Sequence, residues 1–155
     1  MDTILAVLFD FSGRIRRSTW LVFAILLFAA ESLAGLLLRE LISSPLSAAG
    51  HDDFQAVFED QAALCGSLIF LWPSLAVDVK RWHDMGKSGW NTLIVYGPIL
   101  AIFALELAGI GSTIAVPEPF STALLDAFAL TALIYFIILA ARKGTAGINR
   151  YGPAR

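Results

Sequence analysis

The sequence predicts an all-α membrane protein of four transmembrane helices with both ends in the cytoplasm, and three observations predict it. Of 155 residues, 57% are hydrophobic and 15% charged, with a mean hydropathy of +0.73. An ordinary soluble domain carries about 25% charged residues. The charge present is gathered into short clusters separated by long apolar runs, and lysine and arginine fall almost wholly on alternate connections.

Four runs are long and apolar enough to mark as spans, at about 20–38, 62–77, 92–110 and 123–141, within a single integral membrane domain over 1–155. At a rise of about 1.5 Å per residue, the first, third and fourth each approach the roughly 30 Å hydrocarbon core. The second is short and holds Pro73, which favours a kink or a continuation through Asp78 and Val79 toward the interface. The first run follows Arg14, Arg16 and Arg17, as a signal peptide would, but its apolar character resumes from Leu33 to Leu38. An uncleaved anchor accounts for the same pattern.

Orientation follows from the basic residues, whose translocation near a span is disfavoured. Arg14, Arg16 and Arg17 precede span one; Lys80, Arg81 and Lys87 lie between spans two and three; Arg142, Lys143, Arg150 and Arg155 follow span four. The first loop holds only Arg39 and the third loop none, so ten of eleven fall on one side. That side is assigned to the cytoplasm, which makes the chain a multi-pass protein with both ends inside. In the first loop Phe54, Val57 and Phe58 recur at helical spacing and predict a short interfacial helix. Trp20, Trp72, Trp90 and Tyr96 stand where an aromatic belt would. A net charge of −2 argues against nucleic acid as a partner. The single cysteine, Cys65, lies in an apolar run and reads as a packing residue.

Three polar segments share the basic face: Phe11-Ser12-Gly13-Arg14-Ile15-Arg16-Arg17, Lys80 to Trp90 around His83-Asp84-Met85-Gly86-Lys87-Ser88-Gly89-Trp90, and Gly144 to Pro153 around Asn149, Arg150 and Tyr151. In order and spacing they resemble the FSGR, RRxHDxGxSGW and GxxGxNxYGP segments of the bacterial inner-membrane proteins grouped as domain of unknown function 805, the YhaH-like group. Thr19, where an acid is expected, Leu21, where tryptophan is common, and Lys80, often arginine, depart from that pattern. The resemblance implies a four-span inner-membrane protein and carries no activity with it.

The central segment invites several chemistries. A phosphate loop ending in Lys87-Ser88 requires glycine at position 81, where Arg81 stands. A metal site lacks ligands, since the other histidine, His51, lies in an opposite loop and Cys65 lies within span two. No nucleophile and base arrangement is recognisable, and neither a cofactor nor enzymatic activity is expected. On a structural reading Gly86 and Gly89 permit a tight turn, Ser88 caps the start of span three, and Asp84 bonds backbone or pairs with an arginine. The glycine-rich tail is expected to fold back on this loop, near His83 or Asp84, as a cytoplasmic cap.

On a functional reading the same cap binds an anionic lipid or another phosphorylated ligand, with Arg14, Arg17, Lys80, Arg81, His83, Asp84, Lys87, Ser88, Asn149, Arg150 and Tyr151 as candidates. Each basic residue near an anionic surface contributes on the order of 1 kcal/mol. Glu31, midway through span one, with Glu106 and Asp126 in the outer halves of spans three and four, suggests an alternative, a path for protons, cations or a small solute. A third reading is an adaptor that presents its cytoplasmic face to another membrane protein, with Ala30, Ala34 and Gly35 on span one permitting close helix packing; a homo-oligomer is the remaining partner alternative. Membrane lipids are the partners common to all three.

Overall fold

The protein is described here by a computed structural model covering residues 4–48, 52–107 and 120–153; side chains are described outside 42–48, 52–67, 102–103, 105–107, 120–122 and 124–125. The described chain is helical: α1 (Ile4–Phe9), α2 (Arg17–Ala48), α3 (Asp52–Asp84), a 3₁₀ turn (Gly89–Thr92), α4 (Leu93–Leu107) and α5 (Phe120–Ala141). Among the described residues the only strand-like pairing is an isolated bridge between Asn149 and Gly152.

Each expected span lies largely within a helix, and α2, α3 and α5 run beyond the expected bounds. Span two falls inside the 33-residue α3, which also takes in Phe54, Val57 and Phe58, so the separate interfacial helix expected there is instead the start of one continuous helix. Pro73 is accommodated within it. Positions 108–110 of span three, and His51, lie outside the described residues. Among the described residues one helix segment, Arg17–Leu41, is both long and apolar enough to cross a membrane, with a mean hydropathy of 2.4 over its best window. Val22, Ile25, Leu26, Phe28 and Leu36 along it are exposed, so its apolar surface is not spent on packing within the protein. The apolar helix Asp126–Ala141 is shorter, and it too exposes Leu130, Leu133, Ile134 and Ile137.

The chain forms two compact units, Met1–Phe11 with Leu21–Val77, and Ser12–Trp20 with Asp78–Arg155. In the first, the indole of Trp72 donates to the Phe9 carbonyl (3.3 Å) and meets Phe11 edge-on at 4.9 Å. The second holds all three polar segments.

Local chemistry sets the ends of its helices. After α3, Gly86 takes φ +71°, a left-handed conformation that costs glycine least. Lys87 N–H then donates to the Trp82 carbonyl (2.9 Å) and Gly86 N–H to that of His83 (3.0 Å), the paired bonds of a Schellman stop. Ser88 caps the 3₁₀ turn by accepting from Trp90 N–H at 3.3 Å. The last turn of α5 leaves carbonyls without helical donors. Arg81 supplies them, donating from Nε to the Leu139 carbonyl (2.8 Å) and from Nη2 to that of Arg142.

Beneath these ends a carboxylate gathers four helices. Asp78 of α3 accepts from Trp20 Nε1 of α2 (2.7 Å), Tyr96 Oη of α4 (3.1 Å) and Tyr135 Oη of α5 (3.0 Å). Trp82 Nε1 donates in turn to Tyr135 Oη at 3.1 Å. Trp20 is therefore buried, 2% exposed, where the aromatic-belt reading puts it at a lipid interface, because its N–H has a carboxylate to bond. Trp72 and Trp90 are exposed, at 54% and 78%.

Candidate functional site

The three polar segments converge on Asp84, the last residue of α3. One carboxylate oxygen accepts from Arg14 Nε (3.2 Å) and Nη2 (3.1 Å), the other from Arg81 Nη1 (2.5 Å). All three side chains are buried. Two guanidiniums on one carboxylate leave a buried excess of positive charge, and carbonyl dipoles offset it. Arg14 donates further to the carbonyls of Thr145 (2.6 Å), Gly147 (2.8 Å) and Gly152 (3.2 Å), all from the tail. Burial lowers the Arg81 pKa from its usual value; the charge and hydrogen bond of Asp84 oppose this, and the nearby charge of Arg17 adds to it.

The tail is seated through the α3 terminus. Thr145 donates from its N–H (2.8 Å) and Oγ1 (3.0 Å) to the Asp84 carbonyl, and Asn149 Nδ2 to the His83 carbonyl (2.9 Å). The Tyr151 ring stacks on His83 with centroids 3.7 Å apart and planes within 9°, and the Arg150 guanidinium lies 4.7 Å from the Tyr151 centroid on its face. Gly144 is required by close approach, because a Cβ there would overlap the Asp84 carboxylate.

His83 Nδ1 donates to the Gly13 carbonyl at 3.2 Å, joining the N-terminal segment to the same cluster. Its pKa lies below the usual 6.5, chiefly through burial; the Gly13 bond opposes the shift and the charge of Arg150 adds to it. A group with a depressed folded pKa contributes its full stability above the unfolded value and loses it as pH falls through the folded one. Thermal stability in detergent is therefore expected to decline as pH drops below about 6.5, and His83→Gln should flatten that slope. Parallel slopes for the two proteins would remove His83 from the acid response.

The candidate residues thus separate. Arg14, Arg81, Asp84, His83, Asn149 and Tyr151 are bound to one another or to backbone, Ser88 is a cap, and Lys80 is buried, with its carbonyl accepting from Ile15 N–H at 3.4 Å. Lys87 and Arg150 are exposed. Arg17 faces a cavity of about 270 Å³ whose lining joins the buried Arg14 and Asp84 to the exposed Arg16, Arg17, Ser18, Lys143, Gly144 and Thr145. Sequence reasoning missed Arg16, Lys143 and Thr145 as members of one site. Of the intramembrane acids, Glu31 is half-buried on α2, Asp126 is exposed on α5, and the Glu106 side chain is outside the described residues. Among the described residues no group of three or more histidines, cysteines and acids is placed to hold a metal.

An all-helical chain with a membrane-length apolar helix and a tail-sealed arginine–aspartate cluster is the class of protein defined so far. The chain belongs to the family described as "Protein of unknown function (DUF805)", whose pattern it matches over residues 8–153. It is 32% identical over 152 residues to the "Uncharacterized protein YiiR" of Escherichia coli strain K12, covering 97% of this chain and 88% of that one; the Escherichia coli O157:H7 protein of the same name matches equally. No solved structure matches the chain.

Proposed function

We propose that this is a non-catalytic, four-span protein of the bacterial inner membrane, both ends cytoplasmic, that binds an anionic, phosphate-bearing ligand at its cytoplasmic face. The observation that carries the reading is the cavity beside Asp84. Four basic side chains line it against one acid, and both oxygens of that acid are already engaged by Arg14 and Arg81. A phosphate oxygen meets there the planar donors of arginine and the point charge of lysine. The cavity also adjoins Ser18 in the first turn of α2, where free amides favour an anion. The exposed apolar residues of α4 (Leu93, Ile94, Leu100) and α5 support a bundle surrounded by lipid.

Native mass spectrometry of the purified protein offered phosphatidylglycerol and phosphatidylcholine tests this. Preferential phosphatidylglycerol adducts, reduced by combining Arg17→Gln with Lys143→Gln, are expected. Equal retention of the two lipids by the wild-type protein would sink the proposal.

A further inference from the structure

Resting on the phosphate-binding reading of this cavity, we propose that it selects a phosphate group carrying two negative charges, a phosphomonoester or diphosphate, over a singly charged phosphodiester. The charge lining the cavity sets the preference. Arg14 is spent: its Nε, Nη1 and Nη2 all donate, to Asp84 and to tail carbonyls. Asp84 is spent in turn on Arg14 and Arg81, so it repels an incoming anion less than a free carboxylate would. Arg17 and Lys143 are exposed, line the same cavity, and make no ion pair among the described residues.

With Arg16 also exposed on the lining, the cavity presents more than one positive charge, so a dianion gains one more attractive charge there than a phosphodiester does. The volume, about 270 Å³, is several times the roughly 30 Å³ share of a water molecule, enough for a phosphate group and its remaining hydration. Gly144 contributes to this space by adding no side chain beside the Asp84 carboxylate. A lipid phosphomonoester and a free diphosphate present the same chemistry, and the test separates them.

One additional charge against such a surface corresponds to roughly a fivefold change in affinity. Native mass spectrometry titrations at neutral pH should therefore show phosphatidic acid, a phosphomonoester, binding about fivefold tighter than phosphatidylglycerol, a phosphodiester. The preference should disappear at a pH about one unit below the phosphate's second pKa of about 6, where the phosphomonoester carries one charge. The charged groups facing the bound phosphate are Arg14, Arg16 and Arg17 from the N-terminal segment and α2, Asp84 from α3, and Lys143 after α5, with no histidine among them. The pH effect thus belongs to the ligand.

Arg17→Gln with Lys143→Gln should bring the two lipids to parity at neutral pH, with the melting temperature not lowered, because neither residue bonds within the buried cluster and the charge of Arg17 only repels that of Arg81. Soluble pyrophosphate added as competitor separates the sources: displacement assigns the preference to the phosphate group itself, and lack of displacement assigns it to the lipid, and the selectivity stands in either case. Equal affinity for both anionic lipids, each above phosphatidylcholine, overturns the selectivity and leaves anion binding intact. Anionic affinity no higher than that for phosphatidylcholine overturns both.

Discussion

Asp84→Asn is expected to destabilise the protein by about 3–5 kcal/mol, the cost of removing one partner from a buried ion pair. The substitution keeps the shape and removes the carboxylate that two buried guanidiniums share. Arg14 and Arg81 then face each other across an amide, with only carbonyl dipoles to hold them. Because the same two arginines hold the tail and the end of α5, the loss extends beyond the pair. Thr145, Gly147 and Gly152 lose the orientation of Arg14, and Leu139 and Arg142 that of Arg81. Thermal unfolding in detergent and protease sensitivity of the tail would both register it. A variant that melts with wild type and keeps a protected tail would mean that the carbonyl shell alone holds the arginines. Replacing Arg14, Arg81 and Asp84 together by methionine tests the other side of the balance, since exchanging a whole buried charge cluster for apolar volume often costs little.

Much of this cluster was legible in the sequence, because polar segments rich in glycine and arginine beside apolar runs leave few places for their hydrogen bonds to go. The charge asymmetry placed Arg14, Arg81 and Arg150 on one face, and the glycine pattern implied a tail folded against His83 and Asp84. What could not be read was how the arginines divide their work. Arg14, Arg17 and Arg81 look alike as letters, yet two are buried hubs and one stands at a cavity, a difference decided by which carbonyls lie within reach. Lys143 looked like a topology signal after span four, and only the bend of the chain into Gly144 and Thr145 brings it beside Arg17. Helix bounds were blurred for a related reason: hydropathy reports where charge is absent, whereas α3 continues through Arg81 and Asp84, which pair with each other while Arg81 also bonds a carbonyl.

Asp78 is the clearest omission from that reading, and Asp78→Val is expected to cost at least about 2 kcal/mol, taking the lower bound of about 1 kcal/mol for each of the buried donors, Trp20 and Tyr135, left without this acceptor. Read along the chain it was the residue after a short span, an acid at an interface. In the structure it is buried and receives Trp20, Tyr96 and Tyr135, one from each of the other three long helices, with no cation among these partners. Trp20 and Tyr96, at the mouths of spans one and three, read from the sequence as interfacial anchors, and Tyr135 lies within span four.

The network makes the prediction asymmetric. Asp78→Asn keeps one acceptor, and the tyrosine hydroxyls can rotate to accept from the new amide, so it should cost markedly less than Asp78→Val. Tyr135→Phe removes a donor to Asp78 and also the acceptor of Trp82 Nε1, so its effect and that of Asp78→Asn should be non-additive. Indole fluorescence of Trp20 offers a second readout, since loss of the Asp78 bond changes the surroundings of a side chain that is otherwise enclosed. Strictly additive melting shifts across this cycle would show that the bonds act separately, and that the four helices are held by apolar packing with Asp78 a bystander.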